Sequence, residues 1–267
     1  MPSEQLGLGY RVLLAIARVQ PFNRGLIRRF WINFFKKRVN HPVLTSFRGV
    51  PFLFNLDNST EQKGLFNFYN LDEVKFVTGV AHLDNPVFID IGANSGFYSQ
   101  IFLYHATAGA QVLAIEPNPQ MCERISRNAS LIADRIRQGN HSLTIENCAV
   151  GAAQGIMHLN LELGVGGAHI INKPSSNSIE VKINTLQDVL AARHIHRIDL
   201  LKIDVEGYED RVLIPFFDQA DRSLFPRNLL IEHTSDQDWT ADLWDRLDQA
   251  GYKEVFRTRG NVVLRLT

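Results

Sequence analysis

The spacing of apolar positions changes character several times along the chain. Residues 5–20 read as helical, and residues 23–38 more clearly so. Phe22, Leu26, Ile27, Phe30, Trp31, Phe34 and Phe35 recur at helical spacing, with Arg24, Arg28, Arg29, Lys36, Lys37 and Arg38 filling other positions. Residues 43–56 then alternate as a hairpin with Arg48-Gly49 at its turn. The Asn-rich stretch 57–72 predicts loop with some helix, and 72–82 predicts a helix.

From Val87 onward short apolar runs alternate with helical stretches. Strands are expected at Val87–Ile91, Gln111–Glu116, Ser142–Glu146, Asp199–Asp204 and Asn228–His233. Helices are expected at Gly96–His105, from Pro119 to about Ile136, at 186–193 behind a Thr185 cap, at Tyr208–Phe217 and at 238–250. Such alternation predicts an α/β fold with a doubly wound, mostly parallel Rossmann-like sheet. Two strand-like runs around Arg259-Gly260 predict an antiparallel hairpin at the sheet edge. The stretch 152–184 breaks the pattern and reads as an inserted hairpin, with a loop around Gly164-Val165-Gly166-Gly167 and a polar stretch from Asn172 to Asn177. The chain thus divides into a basic helical and hairpin extension, 1–56, and an α/β domain, 57–267.

With 267 residues and 45% hydrophobic content the chain can bury one large core. Its net charge is zero, yet residues 1–50 carry nine Lys/Arg against Glu4 alone, leaving the body acidic. A basic segment on an acidic body predicts a partner for that segment or docking onto the body. The aromatic stripe in 23–38 allows two readings: a helix on an anionic membrane, so that residues 1–40 give peripheral membrane contact, or a helix packed on the domain with its charges solvated. Cys122 and Cys148 form no CxxC and read as reduced thiols of a cytoplasmic protein, without structural zinc. No apolar run approaches the ~20 residues that span a bilayer. The acidic body disfavours nucleic acid as a partner, and the oligomeric state is not written in the pattern.

The chemistry centres on Asp90-x-Gly92-x-x-x-Gly96, which follows a buried strand and opens a helix. Glycines let a ligand approach the backbone, and the helix start offers free N–H groups. Glu116 ends the next strand, where an acid accepts hydrogen bonds from ribose hydroxyls. Pro117 ends that strand and Asn118 caps the next helix. The spacing is neither the GxGxxG of nicotinamide proteins nor a P-loop. A ligand of mixed charge, as S-adenosylmethionine is, suits Asp90, Gly92, Ala93, Asn94, Gly96 and Glu116 together.

Phe88-Ile89-Asp90-Ile91-Gly92-Ala93-Asn94-Ser95-Gly96-Phe97-Tyr98-Ser99, Ala114-Ile115-Glu116-Pro117, Ala149-Val150-Gly151 and Leu201-Lys202-Ile203-Asp204-Val205-Glu206-Gly207-Tyr208-Glu209 resemble the FkbM family of methyltransferases. The resemblance runs from about residue 70 to 235. It implies a seven-stranded class I methyltransferase fold, S-adenosylmethionine as cofactor, and O-methylation of a sugar, glycolipid or natural-product hydroxyl. Ala152 and Gln187 depart from the acids common at those places in the family.

Asn147 and Ala149 are expected beside the adenine, with a turn cap the other reading for Asn147. Asp204 is the first candidate for the reacting centre, at the methionine amine or as proton acceptor, and Glu206 the second. Both also suit a simple helix-capping role. His233 reads either as general base or as a strand-end histidine bonded to a backbone carbonyl. His169 is a weaker candidate. Asp204, Glu206 and Glu232 are oxygen ligands of the kind Mg²⁺ takes, though no spacing demands a metal. The competing readings are an inactive cofactor-binding adaptor and a nucleic-acid methyltransferase.

Overall fold

The computed structural model describes residues 5–160, 169–171 and 178–267. The expected loop at 164–167 and the polar stretch 172–177 lie outside the described residues.

The chain opens with helices α1 (Leu8–Ala17) and α2 (Gly25–Lys36), the hairpin β1 (Val43–Phe47) and β2 (Val50–Phe54), and helices α3 (Ser59–Leu65) and α4 (Leu71–Ala81). Next come β3 (Val87–Ile91), α5 (Phe97–His105), β4 (Gln111–Ile115), α6 (Pro119–Ser130), α7 (Ala133–Gln138) and β5 (Ser142–Glu146). The inserted region holds β6 (Ala149–Val150), β7 (Gly155–Asn160), β8 (His169–Ile171) and β9 (Ser178–Asn184). The chain continues through α8 (Leu186–Ala192), β10 (Leu200–Ile203), α9 (Glu209–Gln219), β11 (Asn228–Glu232), α10 (Leu243–Gln249), β12 (Tyr252–Arg257) and β13 (Asn261–Leu266).

Among the described residues the main sheet has seven strands in the order β12-β13-β11-β10-β3-β4-β5. β11, β10, β3, β4 and β5 run parallel, and β13 and β12 close one edge antiparallel. Side chains alternate between the two faces of a strand. Phe88, Val112, Leu200, Leu230 and Val263 therefore enter one core, with α4, α5 and the first 56 residues. Ile89, Ile91, Leu113, Leu201, Ile203 and Ile231 enter the other, with α8, α9 and α10. Burial on both faces explains why these strands read as near-continuous apolar runs. Phe35, Phe47, Phe52 and Phe54 are buried in the first core, so the extension is built into the body. Its hairpin is tied down by Asn128 of α6, whose Oδ1 accepts from the Leu53 N–H at 2.8 Å.

Two expectations need correction. The helix from Pro119 to about Ile136 is two helices, α6 and α7: the chain turns at Leu131 and drives Ile132 into the core. The helix expected at 238–250 starts only at Leu243, because the Thr240 and Ala241 N–H groups are taken by the Asp210 carboxylate, at 2.7 and 3.2 Å. The inserted hairpin is part of a four-stranded sheet, order β6-β9-β7-β8, in which β6 lies parallel to β9.

Candidate active site

The loop after β3 is shaped by close approach. Gly92 has φ +67, and a Cβ there would overlap the Asp204 carbonyl oxygen. Any side chain would push β3 away from the chain leaving β10. The Gly92 and Ala93 N–H groups both donate to the Ile115 carbonyl, at 3.0 and 3.2 Å. Asn94, also at positive φ, accepts from the Ser95 N–H at 2.8 Å and from the Asn58 side chain at 2.7 Å. Gly96 starts α5 from a left-handed conformation against Ile125.

Glu116 follows β4. Its Oε2 accepts from the Asn94 N–H at 2.8 Å and its Oε1 from the Asn118 N–H at 2.9 Å. Burial raises its pKa to about 7, against the opposing pull of those two bonds and of Lys202. Each carboxylate oxygen has a second lone pair free to accept from a ligand hydroxyl. Asn118 caps α6 at the Gln120 N–H, as expected. Asn147 donates to the carbonyls of Glu116 and Pro117 at 3.0 and 2.9 Å, which is the turn-holding arrangement.

On the other side of β3, the strand β10 supplies Lys202. Its Nζ donates to the Gly92 carbonyl at 2.8 Å and lies 3.5 Å from Asp90 and 3.9 Å from Asp204. Burial works against its charge, but Asp90, Asp204 and Glu116 together raise its pKa above the usual lysine value. The Asp90 carboxylate also accepts from the Ser99 hydroxyl at 2.7 Å. It is not among the residues lining the cavity, so its position is that of a buried support for Lys202. Asp204 and Glu206 do line the cavity. Although the Glu206 side chain is partly open to solvent, its partial desolvation raises its pKa, and the negative charges of Asp204 and Glu232 add to that. The turn carrying both acids is fixed from behind by Glu209, which accepts from the Val205 and Gly207 N–H groups at 2.8 and 3.1 Å and from the Trp239 indole at 2.8 Å. Burial lifts Glu209 to about 7 as well.

These groups border a cavity of about 590 Å³ at the carboxyl ends of the parallel strands, a size usual for small-molecule sites. Gly92, Ala93, Asn94, Glu116, Pro117 and Ala149 line it together with Asp204 and Glu206. The opposite wall was not legible in the sequence. Tyr98 donates to Glu73 Oε2 at 2.6 Å, and Thr258 donates to Glu73 Oε1 at 2.5 Å. Tyr69 stacks on Phe97 with ring centroids 3.8 Å apart. Burial holds both tyrosine hydroxyls well above their usual pKa, with nearby carboxylates adding to it. No local spacing marks these residues, because tertiary packing alone brings residues 69–98 to the β12–β13 turn.

His233 is not a lining residue; its Nε2 lies 3.2 Å from the Thr258 carbonyl. The ring thus rests on a backbone carbonyl, outside the residues that line the cavity. The His169 side chain lies outside the described residues. Among the described residues no group of three or more His, Cys, Asp or Glu is placed to hold a metal, and the magnesium expectation finds no ligand set there.

A seven-stranded, mostly parallel sheet with its last strand antiparallel, a glycine loop after its central strand and acids after both neighbouring strands define a class I methyltransferase fold. The chain belongs to the FkbM methyltransferase family: the profile of the Methyltransferase FkbM domain matches residues 90–254. It is 27% identical over 160 residues to the methyltransferase sdnD of Sordaria araneosa, a match covering 48% of this chain and 60% of that protein. It is 27% identical over 189 residues to the 31-O-demethyl-FK506 methyltransferase FkbM of Streptomyces tacrolimicus, covering 58% of this chain and 69% of that one. A solved methyltransferase FkbM from Methylobacillus flagellatus KT superposes with a TM-score of 0.48 at 15% identity, over 93% of this chain and 61% of that one. The matched region thus spans about 60% of sdnD and of the Methylobacillus protein.

Proposed function

We propose that the protein is an S-adenosylmethionine-dependent O-methyltransferase acting on a hydroxyl of a sugar, glycolipid or natural product. The observation that carries this reading is the pair of acids flanking the glycine loop. Glu116 and Asp204 leave strands on either side of β3, which sets them about 10 Å apart at the usual strand spacing. That span suits the ribose at one end of the cofactor and the amino-acid group at the other. Glu116 would accept the ribose hydroxyls, Ala149 would flank the adenine, and Asp204 would receive the amine, with Gly92, which carries no side chain, leaving room for close approach between them.

Bound there, the cofactor supplies an electrophilic methyl group. The chain's own part is to align the acceptor oxygen and take its proton. Glu206 suits proton acceptance, since its raised pKa makes it a stronger base than an ordinary carboxylate. Lys202 holds Asp204 and the Gly92 carbonyl in place, which fixes the floor under the reacting atoms.

Calorimetric titration with S-adenosylmethionine tests the cofactor half. The parent should bind, and Glu116→Ala should bind about tenfold or more weakly, as the loss of two charge-assisted hydrogen bonds implies. Turnover on a panel of sugar, glycolipid and natural-product alcohols tests the other half; Glu206→Gln should lower kcat by about 10²-fold or more. A folded parent that does not bind the cofactor would sink the proposal. Binding without turnover on any acceptor would favour the adaptor reading.

A further inference from the structure

The helical extension leaves an apolar face uncovered. α1 turns Leu14 and Ala17 inward and leaves Leu8, Val12 and Ile16, one helical turn apart, in solvent. The connection adds Val19 and Phe22, and α2 adds Leu26, Ile27 and Phe30. Of the eleven exposed large apolar side chains among the described residues, eight fall between residues 8 and 30, with Leu8 77% and Leu26 80% exposed. A single exposed leucine needs no account, but a run along two helices does.

The charge on this segment has one sign. From Gln5 to Leu56 the chain contains no acidic residue. Arg11, Arg24, Arg29, Lys36 and Lys37 stand exposed on or beside the two helices. α2 also reaches the cavity: Arg28 lines it, with its guanidinium 4.3 Å from the Phe68 ring centroid. On a helical projection Arg28 lies nearly opposite Leu26 and Phe30.

We propose that α1 and α2 dock the protein on the surface of an anionic phospholipid bilayer. Leu8, Val12, Ile16, Leu26 and Phe30 enter the acyl boundary while the flanking Arg and Lys side chains meet lipid phosphates. A lipid surface offers both the apolar layer and the negative charge this face lacks. A second copy of the chain offers the apolar area but brings the same positive charge. No helix among the described residues is long and apolar enough to cross a membrane, so the contact is interfacial. The proposal stands apart from the methyl-transfer reading.

Co-sedimentation of the full chain with vesicles tests it. Vesicles of phosphatidylcholine with about a quarter phosphatidylglycerol should bind the protein, pure phosphatidylcholine should bind it far less, and added salt should release it. The double variant Leu26→Ser/Phe30→Ser should partition about tenfold or more weakly, since it removes two apolar anchors. Arg24→Glu/Arg29→Glu should lose the preference for anionic lipid. Leu83→Ser, which removes an exposed leucine elsewhere, should bind as the parent does, and circular dichroism should show every variant folded. The proposal is overturned if folded parent ignores anionic vesicles, binds neutral ones equally well, or binds unchanged after both double substitutions. It is equally overturned if the face instead forms a dimer in solution that Leu26→Ser/Phe30→Ser dissolves.

Discussion

Glu116 combines two demands that pull against each other. Its carboxylate is buried, which favours the proton, yet it is held by two backbone N–H groups that favour the charge. Burial prevails and the folded pKa is about 7, above the ~4.3 of an unfolded glutamate. Between those values the folded chain binds the extra proton. This group's contribution to stability is therefore full below about pH 4.3 and is lost as pH rises through about 7. Urea melts of the parent and of Glu116→Gln across pH 5–8 read this directly: the parent's unfolding free energy should fall relative to the variant's as pH rises. Cofactor affinity should run the other way and strengthen through pH 7, because the ionised carboxylate is the better acceptor. A parent and variant with parallel pH dependence would show that Glu116 keeps an ordinary pKa.

At the scale of elements, the turn between β10 and α9 depends on one side chain. Glu209 satisfies the Val205 and Gly207 N–H groups and the Trp239 indole, and in doing so holds the backbone that carries Asp204 and Glu206. Glu209→Ala leaves those donors without their acceptor and should cost about 2–4 kcal/mol, read from urea denaturation. An unchanged midpoint would mean that the turn holds itself.

The same scale shows what the sequence made legible. β3, β4, β10 and β11 announce themselves because burial on both faces demands apolar runs, and the glycine loop because only glycine fits against Asp204. Lys202 stood out only as part of the Lys202–Glu209 motif, and its partners within the buried strand, Asp90 and Asp204, come from the fold. Asn147 and His233 each carried two readings, and the local sequence is the same for both. The folded chain places Asn147 against the carbonyls of Glu116 and Pro117 and His233 against that of Thr258, contacts that no local spacing announces.

Across the whole molecule the cavity has two walls of different origin. The sheet wall comes from residues 91–94, 115–117, 148–150 and 202–206, and the facing wall from residues 28–73, Phe97 and Tyr98 together with the β12–β13 turn. Glu73 joins the parts of the second wall by accepting from Tyr98 and Thr258. If the acceptor is bound there, Glu73→Ala should cut kcat/KM for the acceptor by about tenfold, the loss of a buried charged hydrogen bond, while the calorimetric affinity for S-adenosylmethionine stays within about twofold. Equal losses in both would mean that Glu73 supports the entire site.

The bond between Glu73 and Thr258 also sets an order of assembly. The two residues are 185 positions apart, so a ribosome adding about 5–20 residues per second delivers the second roughly 10–40 s after the first. By then β3, β4 and β5 have long emerged, and with them the glycine loop and Glu116. In the growing chain the Glu116 end of the cavity can therefore take shape well before the opposite wall is joined.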